Sequence, residues 1–288
     1  MPQLIVTGMA TGCIYALVAF GFVLIYNAVG ALNFAQGDFV MIGGYLGAWT
    51  SVTLDFPVWV AFGATIALMA AFGIVFQRLL YVPLQDKPIV TFLVASIGAG
   101  IVLRNVALVV FGPEPRSVPP LLGAGSIDVL SALLSKTYVI VLILTTAVLA
   151  GLWWLFTHTM FGKSLRATAQ DATTARLMGI RVRTMITATF VLSAVLSGIA
   201  GFVLGPIVFV YPEVGLPLII NGFIAVVIGG FGSLPGAVVG GMLVGLAQVF
   251  VATYVSSTWT QVYLFALLLA LLIAWPRGIF GEPVSEKV

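Results

Sequence analysis

Charge is what this chain lacks. Asp, Glu, Lys and Arg make up 7% of its 288 residues, against about 25% in soluble globular domains. So few charges cannot coat a water-facing surface. This excludes a soluble domain and, with hydrophobic residues at 61%, places the chain in a bilayer. Cysteine is nearly missing too. Cys13 stands alone, which excludes an intrachain disulfide and a thiolate metal site; it reads as a small buried apolar residue. The single histidine, His158, sits beside Trp153 and Trp154 without a clustered carboxylate. It makes no metal site and is expected at a membrane interface. No charge precedes Asp38, so the basic region of a cleaved signal peptide is missing and the first apolar segment is expected to stay as a helix.

What is present is a series of apolar runs, at about residues 4–29, 38–54, 57–80, 89–111, 137–157, 186–211, 217–231, 236–255 and 260–276. A membrane-crossing helix needs roughly 20 such residues. The runs predict an all-α, polytopic transmembrane helix bundle of about eight or nine spans, with residues 1–288 forming one transmembrane domain. The tryptophans (Trp49, Trp59, Trp153, Trp154, Trp259 and Trp275) fall near the run ends, where interfacial anchoring accounts for them. Glycines at four-residue spacing, such as Gly8/Gly12 and Gly241/Gly245, predict close helix–helix packing within the subunit or between subunits.

The polar residues concentrate in one island, Gly162 to Met185, which holds Lys163, Arg166, Arg176, Arg181 and Arg183, five of the chain's 12 basic residues. Basic loops stay on the cytoplasmic side. Placing the island inside puts Arg78, Lys87, Arg277 and Lys287 inside as well, and leaves only Arg116 and Lys136 outside. The predicted orientation is therefore N-terminus outside and C-terminus cytoplasmic. The net charge of +3 is explained by these loops facing membrane lipid, and no nucleic acid is implied.

Within the island, Thr168-Ala169-Gln170-Asp171 fits a capping box, with the Thr168 hydroxyl accepting from the Asp171 amide. The spacing predicts a short helix from Thr168 through Ala172, Ala175 and Arg176 to a left-handed stop at Gly179. Ala172 and Ala175 leave one face small enough to lie in a partner's groove. Phe161-Gly162-Lys163-Ser164 looks like the end of a phosphate-binding loop, but Thr157 stands where that loop needs glycine. Nucleotide binding on this chain is rejected.

Two apolar regions are irregular. Asn27 to Asp38 interrupts its region with amides and glycines, and Pro217 to Phe231 is too short to cross before ending in Gly229-Gly230-Phe231-Gly232-Ser233-Leu234-Pro235-Gly236. Non-helical backbone at membrane depth survives only where protein or water satisfies it, and interrupted segments in both halves of a transporter point to its pathway. The pathway candidates are Asn27, Asn33, Gln36, Asp38, Asn221 and Gln248, each equally able to serve as an interhelical hydrogen bond. Arg104 falls inside a span, where it either snorkels to the outer interface or pairs in the interior. With Asp38 and Glu213 both expected at span ends, no buried carboxylate is evident to couple an ion, which counts against an ion-coupled carrier.

Three motifs carry a resemblance: Asn33-Phe34-Ala35-Gln36-Gly37-Asp38, the island from Gly162 to Ile180, and Ile228-Gly229-Gly230-Phe231-Gly232-Ser233-Leu234-Pro235-Gly236-Ala237. Together they resemble, over nearly the whole chain, the LivH-type permease subunits of bacterial ABC importers for branched-chain amino acids. The resemblance implies a permease that is not an enzyme and holds no cofactor. It implies a homologous LivM-type permease, two cytoplasmic ABC ATPases, a periplasmic solute-binding protein and a location in the bacterial inner membrane. It also makes residues 162–185 a cytoplasmic coupling segment, with Thr168, Asp171, Ala172, Ala175, Arg176 and Gly179 receiving ATP-driven motion. One departure stands out. Many members carry lysine-alanine-phenylalanine where this chain has Asn221-Gly222-Phe223, and the missing cation opens the solute to urea, short amides, aromatic acids or a sugar.

Overall fold

The computed structural model describes residues 2–123, 125–129 and 132–281; Lys287, counted above among the cytoplasmic basic residues, lies outside them. Eleven α-helices make up most of the described chain. The first four are α1 (Pro2–Val29), α2 (Gln36–Ala48), α3 (Val58–Phe76) and α4 (Ile89–Phe111). A connecting set follows: α5 (Lys136–His158), α6 (Met160–Gln170) and α7 (Ala172–Leu177). The last four are α8 (Val182–Leu204), α9 (Gly215–Gly229), α10 (Leu234–Tyr254) and α11 (Thr260–Ala274). Wide π turns extend α2 over Trp49–Thr53 and α3 over Gln77–Tyr81. The expectation of a wholly helical chain needs one amendment. The break before α5 holds an antiparallel hairpin of β1 (Ser126–Val129) and β2 (Ala132–Ser135).

Six of these helices, counted with their end turns, are long and apolar enough to cross a membrane, namely α1, α3, α4, α5, α8 and α10. At 15 residues each, α9 and α11 reach only about 22 Å at 1.5 Å per residue, short of a hydrocarbon core of roughly 30 Å. Helix α1 is apolar on every side and buried along most of its length, as an all-round apolar helix at a bundle's centre should be. Cys13 is buried within it, as the sequence suggests.

The bundle is two four-helix repeats of opposite sense. In one, α10 packs antiparallel on α1: Gly8 faces Leu246, Gly12 faces Met242 and Gly241 faces Ala16. In the other, α3 packs antiparallel on α8, with Phe62 against Phe202, Met69 against Gly198 and Gly73 against Val191. Helix α2 runs parallel to α8, meeting it at Gly43–Gly198 and Gly47–Phe202. Its counterpart α9 runs parallel to α1, meeting it at Asn221–Tyr15 and Phe223–Phe22. The outer helices obey the same rule. α4 follows α2 (Arg104–Asp38, Tyr45–Phe111) and α11 follows α9 (Gln261–Asn221). The small residues at these crossings let backbones touch, which is the source of helix association where water exclusion gives none.

The connecting set fixes how the ends relate. Phe20, in the second half of α1, meets Phe156 near the end of α5, and Phe161 of α6 lines a groove shared with Arg183 at the start of α8. Helix α8 therefore leaves from the end of the bundle at which α1 and α5 arrive. The two repeats are inverted with respect to each other.

Candidate functional site

Both irregular segments resolve into helices that begin inside the bundle. α2 starts at Gln36, which with Gly37 and Asp38 is buried. The extended stretch before it is satisfied locally: the Asn33 side-chain oxygen accepts from the Ala35 amide at 3.1 Å, and the Phe34 amide donates to Ser96 Oγ at 3.0 Å. This is how non-helical backbone tolerates the interior. α9 starts at Gly215, and the two starts touch. A methyl on Gly37 would overlap the Gly215 carbonyl oxygen, and one on Gly215 would come within 2.6 Å of the Gly37 carbonyl oxygen. Two half-helices thus meet amino end to amino end in the core.

Polar side chains ring this junction. Gln36, fully buried, donates from Nε2 to Ser197 Oγ at 2.7 Å. Ser193 Oγ lies 3.0 Å from Gln36 Oε1 and 2.9 Å from the Gly21 carbonyl oxygen. Next along α2, Asp38 forms a salt bridge with Arg104 of α4, Oδ1 to Nε 2.9 Å, with the carboxylate side 3% and the guanidinium side 23% exposed. The first turn of α2 supplies partial positive charge beside the same carboxylate. Gly100 leaves the space that Asp38 occupies, since a Cβ there would strike its Oδ2. Outside the pair, a cavity of about 170 Å³ is lined by Arg104, Asn105, Pro212 and Glu213 among others. Asp38 is therefore not at a span end, as hydropathy suggests, but buried at the start of a half-helix. The two alternatives for Arg104 resolve in favour of pairing.

A second polar cluster joins the other repeat. Tyr15 OH donates to Gln248 Oε1 at 2.5 Å and accepts from Asn221 Nδ2 at 3.0 Å, and Gln261 Nε2 donates to Asn221 Oδ1 at 3.2 Å. This network links α1, α9, α10 and α11. Asn27 lies apart from both clusters. Its Nδ2 donates to the Gly232 carbonyl at 2.8 Å, pinning the glycine turn before α10 to the end of α1.

The island folds differently from the capping box read in the sequence. Thr168 lies inside α6, where its hydroxyl donates to the Ser164 carbonyl at 2.9 Å. It is not an N-cap. Asp171 holds that position, its Oδ1 accepting from the amides of Thr173 (2.8 Å) and Thr174 (3.1 Å) to start α7. The short helix is capped three residues later than the motif implies. Its stop agrees with the expectation, since Gly179 adopts φ +83°, the left-handed region open to glycine. The face of small residues is turned inward, with Ala175 buried and Ala172 half-buried. Outward stand Thr173, Arg176, Leu177 and Met178, the last two 83% and 79% exposed. Helix α6 carries the same division, burying Gly162, Leu165 and Thr168 and exposing Lys163, Arg166 and Gln170.

Of the pathway candidates, the structure brings Gln36, Asp38 and Arg104 together at the junction, with Asn33 capping the approach, and joins Asn221 to Gln248 elsewhere. Sequence reasoning missed Tyr15, Ser193, Ser197 and Gln261, which complete these networks. The two serines carried a signal: four residues apart, they mark one polar strip on an apolar helix.

Comparison with known proteins agrees with this architecture. Residues 4–273 match the family described as the permease component of branched-chain amino acid transport systems. BraD, a high-affinity branched-chain amino acid transport system permease of Pseudomonas aeruginosa, is 33% identical, covering 99% of this chain and 97% of its own. LivH of Escherichia coli, with the same description, is 31% identical over 99% and 97%. A solved structure, PsaBC from Streptococcus pneumoniae in complex with Fab, superposes with a TM-score of 0.50 over 95% of this chain and 92% of that one, at 17% identity. It shares the fold.

Proposed function

The chain belongs to the permease family of branched-chain amino acid transport systems, and on that premise we propose how it works as an ABC importer subunit in the bacterial inner membrane. It is a LivH-type permease and not an enzyme; ATP hydrolysis lies with partner ATPases. The proposed solute is a branched-chain amino acid, after the relatives' descriptions. The proposed assembly adds a homologous LivM-type permease, two cytoplasmic ATPases and a periplasmic binding protein. The basic residues orient the chain with the island and the C-terminus inside and the N-terminus outside. Six long helices, with α2 and its π turn, α9 and α11 as shorter partial or tilted spans, then give nine crossings, the odd number that an outside N-terminus and an inside C-terminus require.

The observation that carries the transport reading is the junction of α2 and α9. Helices broken at depth, with their positive ends converging, are the form in which transporters build sites for small solutes near the bilayer midplane. Asp38, Arg104 and Gln36 line the approach from this subunit, and the partner permease supplies the opposite wall of the pathway. All three are buried or paired within the chain, so the open route runs along its surface at the cavity beside Arg104. The missing cation at Asn221 has a structural counterpart: Asn221 is engaged by Tyr15 and Gln261 and serves packing.

The island is proposed as the coupling segment. With Ala172 and Ala175 facing inward, the surface offered to an ATPase is Thr173, Arg176, Leu177 and Met178, while Thr168, Asp171 and Gly179 hold the segment's shape. The test is solute-stimulated ATP hydrolysis by the complete importer in proteoliposomes. Breaking α7 with Thr174→Pro should abolish stimulation and uptake while the permease still assembles in the membrane. Stimulated hydrolysis and uptake at wild-type rates would remove the island from the mechanism.

A further inference from the structure

A groove of about 940 Å³ lies between the end of α3, the start of α8 and α6, and shares no lining residue with either polar cluster. Two arginines line it from different helices: Arg78, in the π turn that ends α3, and Arg183, the second residue of α8. Both are exposed, and among the described residues the only salt bridge is Asp38–Arg104, so neither cation has a carboxylate partner. Arg183 is also placed against the helix dipole, whose positive end disfavours a cation in the first turn. Gln77 lines the same groove, is 3% exposed and finds no hydrogen-bond partner among the described residues. Among the described residues the sealed polar atoms without a partner belong to Asn33, Tyr45 and Thr145, so the Gln77 carboxamide keeps access to the groove and can donate to a group that enters it. Thr184 and Thr187 also line it near Arg183, and the remaining wall is apolar, including Ile74 and Val191.

We propose that this groove binds one anionic phospholipid, its phosphate held by Arg78, Arg183 and the Gln77 amide and an acyl chain lying along Ile74 and Val191. The two halves of the groove match the two halves of that ligand. Donors without acceptors gather at the basic end of the bundle, and a greasy wall continues from them toward the membrane interior. Basic pockets between transmembrane helices on the cytoplasmic side hold acidic headgroups for this reason. The leaflet rests on the orientation proposed above; the binding itself does not. Because Phe161 of α6 closes one side of the groove, the lipid would touch α3, α8 and the island together and set how firmly the island sits on the bundle.

The experiment is native mass spectrometry of the full chain in mild detergent, with dioleoyl phosphatidylglycerol or dioleoyl phosphatidylcholine added at equal concentration. The expected result is one retained phosphatidylglycerol per chain, preferred on the order of tenfold over phosphatidylcholine. The preference should vanish in R78Q/R183Q, survive in R181Q, whose arginine does not line the groove, and partly survive in R78K/R183K. Q77L should weaken it, and this variant with the lysine pair decides the matter if the glutamine pair does not fold. Equal retention of the two lipids, or an unaltered preference in R78Q/R183Q, would overturn the proposal. So would complete displacement by an equal concentration of inorganic phosphate, which marks a free-anion site, or loss of the lipid when the ATPase binds, which marks the groove as a protein docking surface. Only the last of these outcomes presupposes an ATPase partner; the others are independent of the transport reading, which the uptake assay tests separately.

Discussion

Removing Arg104 should expose how much the junction depends on its ion pair. The Asp38 carboxylate is 3% exposed and bonded to Arg104 at 2.9 Å, so Arg104→Gln leaves a nearly buried anion with a weaker, neutral partner. Breaking one side of a fully buried pair costs about 3–5 kcal/mol. The guanidinium is 23% exposed, and solvent reaching it reduces the effect, so about 2–3 kcal/mol is expected here. Asp38→Asn strands the more accessible partner and should cost less, about 1–2 kcal/mol. The double variant D38N/R104Q holds two neutral side chains at hydrogen-bonding distance and no stranded charge. It should be more stable than R104Q alone, with a coupling energy of about 1.5–3 kcal/mol in the double-mutant cycle. Unfolding by dodecyl sulfate in mixed micelles, followed by far-ultraviolet circular dichroism, measures all four proteins. If the single effects add within about 0.5 kcal/mol, or R104Q costs less than that, the pair does not hold the start of α2 in place.

Three further outcomes follow from the same geometry. Gly37→Ala places a methyl on the Gly215 carbonyl and should destabilise by about 1–3 kcal/mol. Gly151→Ala, in α5 with nothing within 4 Å of the added carbon, should be neutral or stabilising by about 0.5–1 kcal/mol; in detergent, Gly37→Ala must lower the melting temperature and Gly151→Ala must not. Tyr15→Phe leaves Gln248 without its donor and Asn221 without one acceptor. It should cost between about 0.6 and 3 kcal/mol, and adding Gln248→Leu should cost less in the Y15F background than alone. For orientation, T173C in a C13A background should react with an impermeant maleimide only in inside-out vesicles and E114C only in right-side-out ones; the reverse pattern inverts the topology.

The long spans were legible because an uninterrupted apolar run leaves one solution in lipid. The run read at 89–111 is α4 residue for residue, and that at 137–157 differs from α5 by one residue at each end. The hairpin before α5 was not, because Ser126–Ser135 carries no alternation strong enough to distinguish it from a loop. Asp38 was misplaced for a physical reason. Hydropathy treats a carboxylate as a boundary, and only the fold supplies the arginine 66 positions later that makes burial tolerable. Thr168 was misread because a threonine hydroxyl can serve a cap or bond back to a carbonyl one turn earlier. Ser164 offered the second choice inside a helix that already extended past it. The inverted repeat is not legible in the sequence, since it conserves helix order and packing partners while helix lengths and the residues at the crossings differ: Gly43 meets Gly198, whereas Gly222 meets Val18.

The proposed coupling has a short physical route. Asp171 fixes α7 by its cap, Gly179 turns the chain, and α8 begins at Val182. Eleven residues later the same helix presents Ser193, then Ser197, to Gln36 at the junction. That is a rigid rod of roughly 16 Å from the island to the start of α2. A second contact runs in parallel. Gly162 of α6 packs directly on the backbone of Leu155 and Phe156, and Phe156 abuts Phe20 of α1, one residue from the Gly21 carbonyl that Ser193 also meets. Both routes converge on the α1–α8–α2 crossing, where glycine and serine allow backbones to touch and little slack remains to absorb a displacement. Under the proposed coupling, a push on α7 would arrive at the amino ends of the two half-helices rather than dissipate in loops. Those ends are joined across Gly37 and Gly215 by contact alone, with no side chain between them, so the junction is where the two inverted repeats can part.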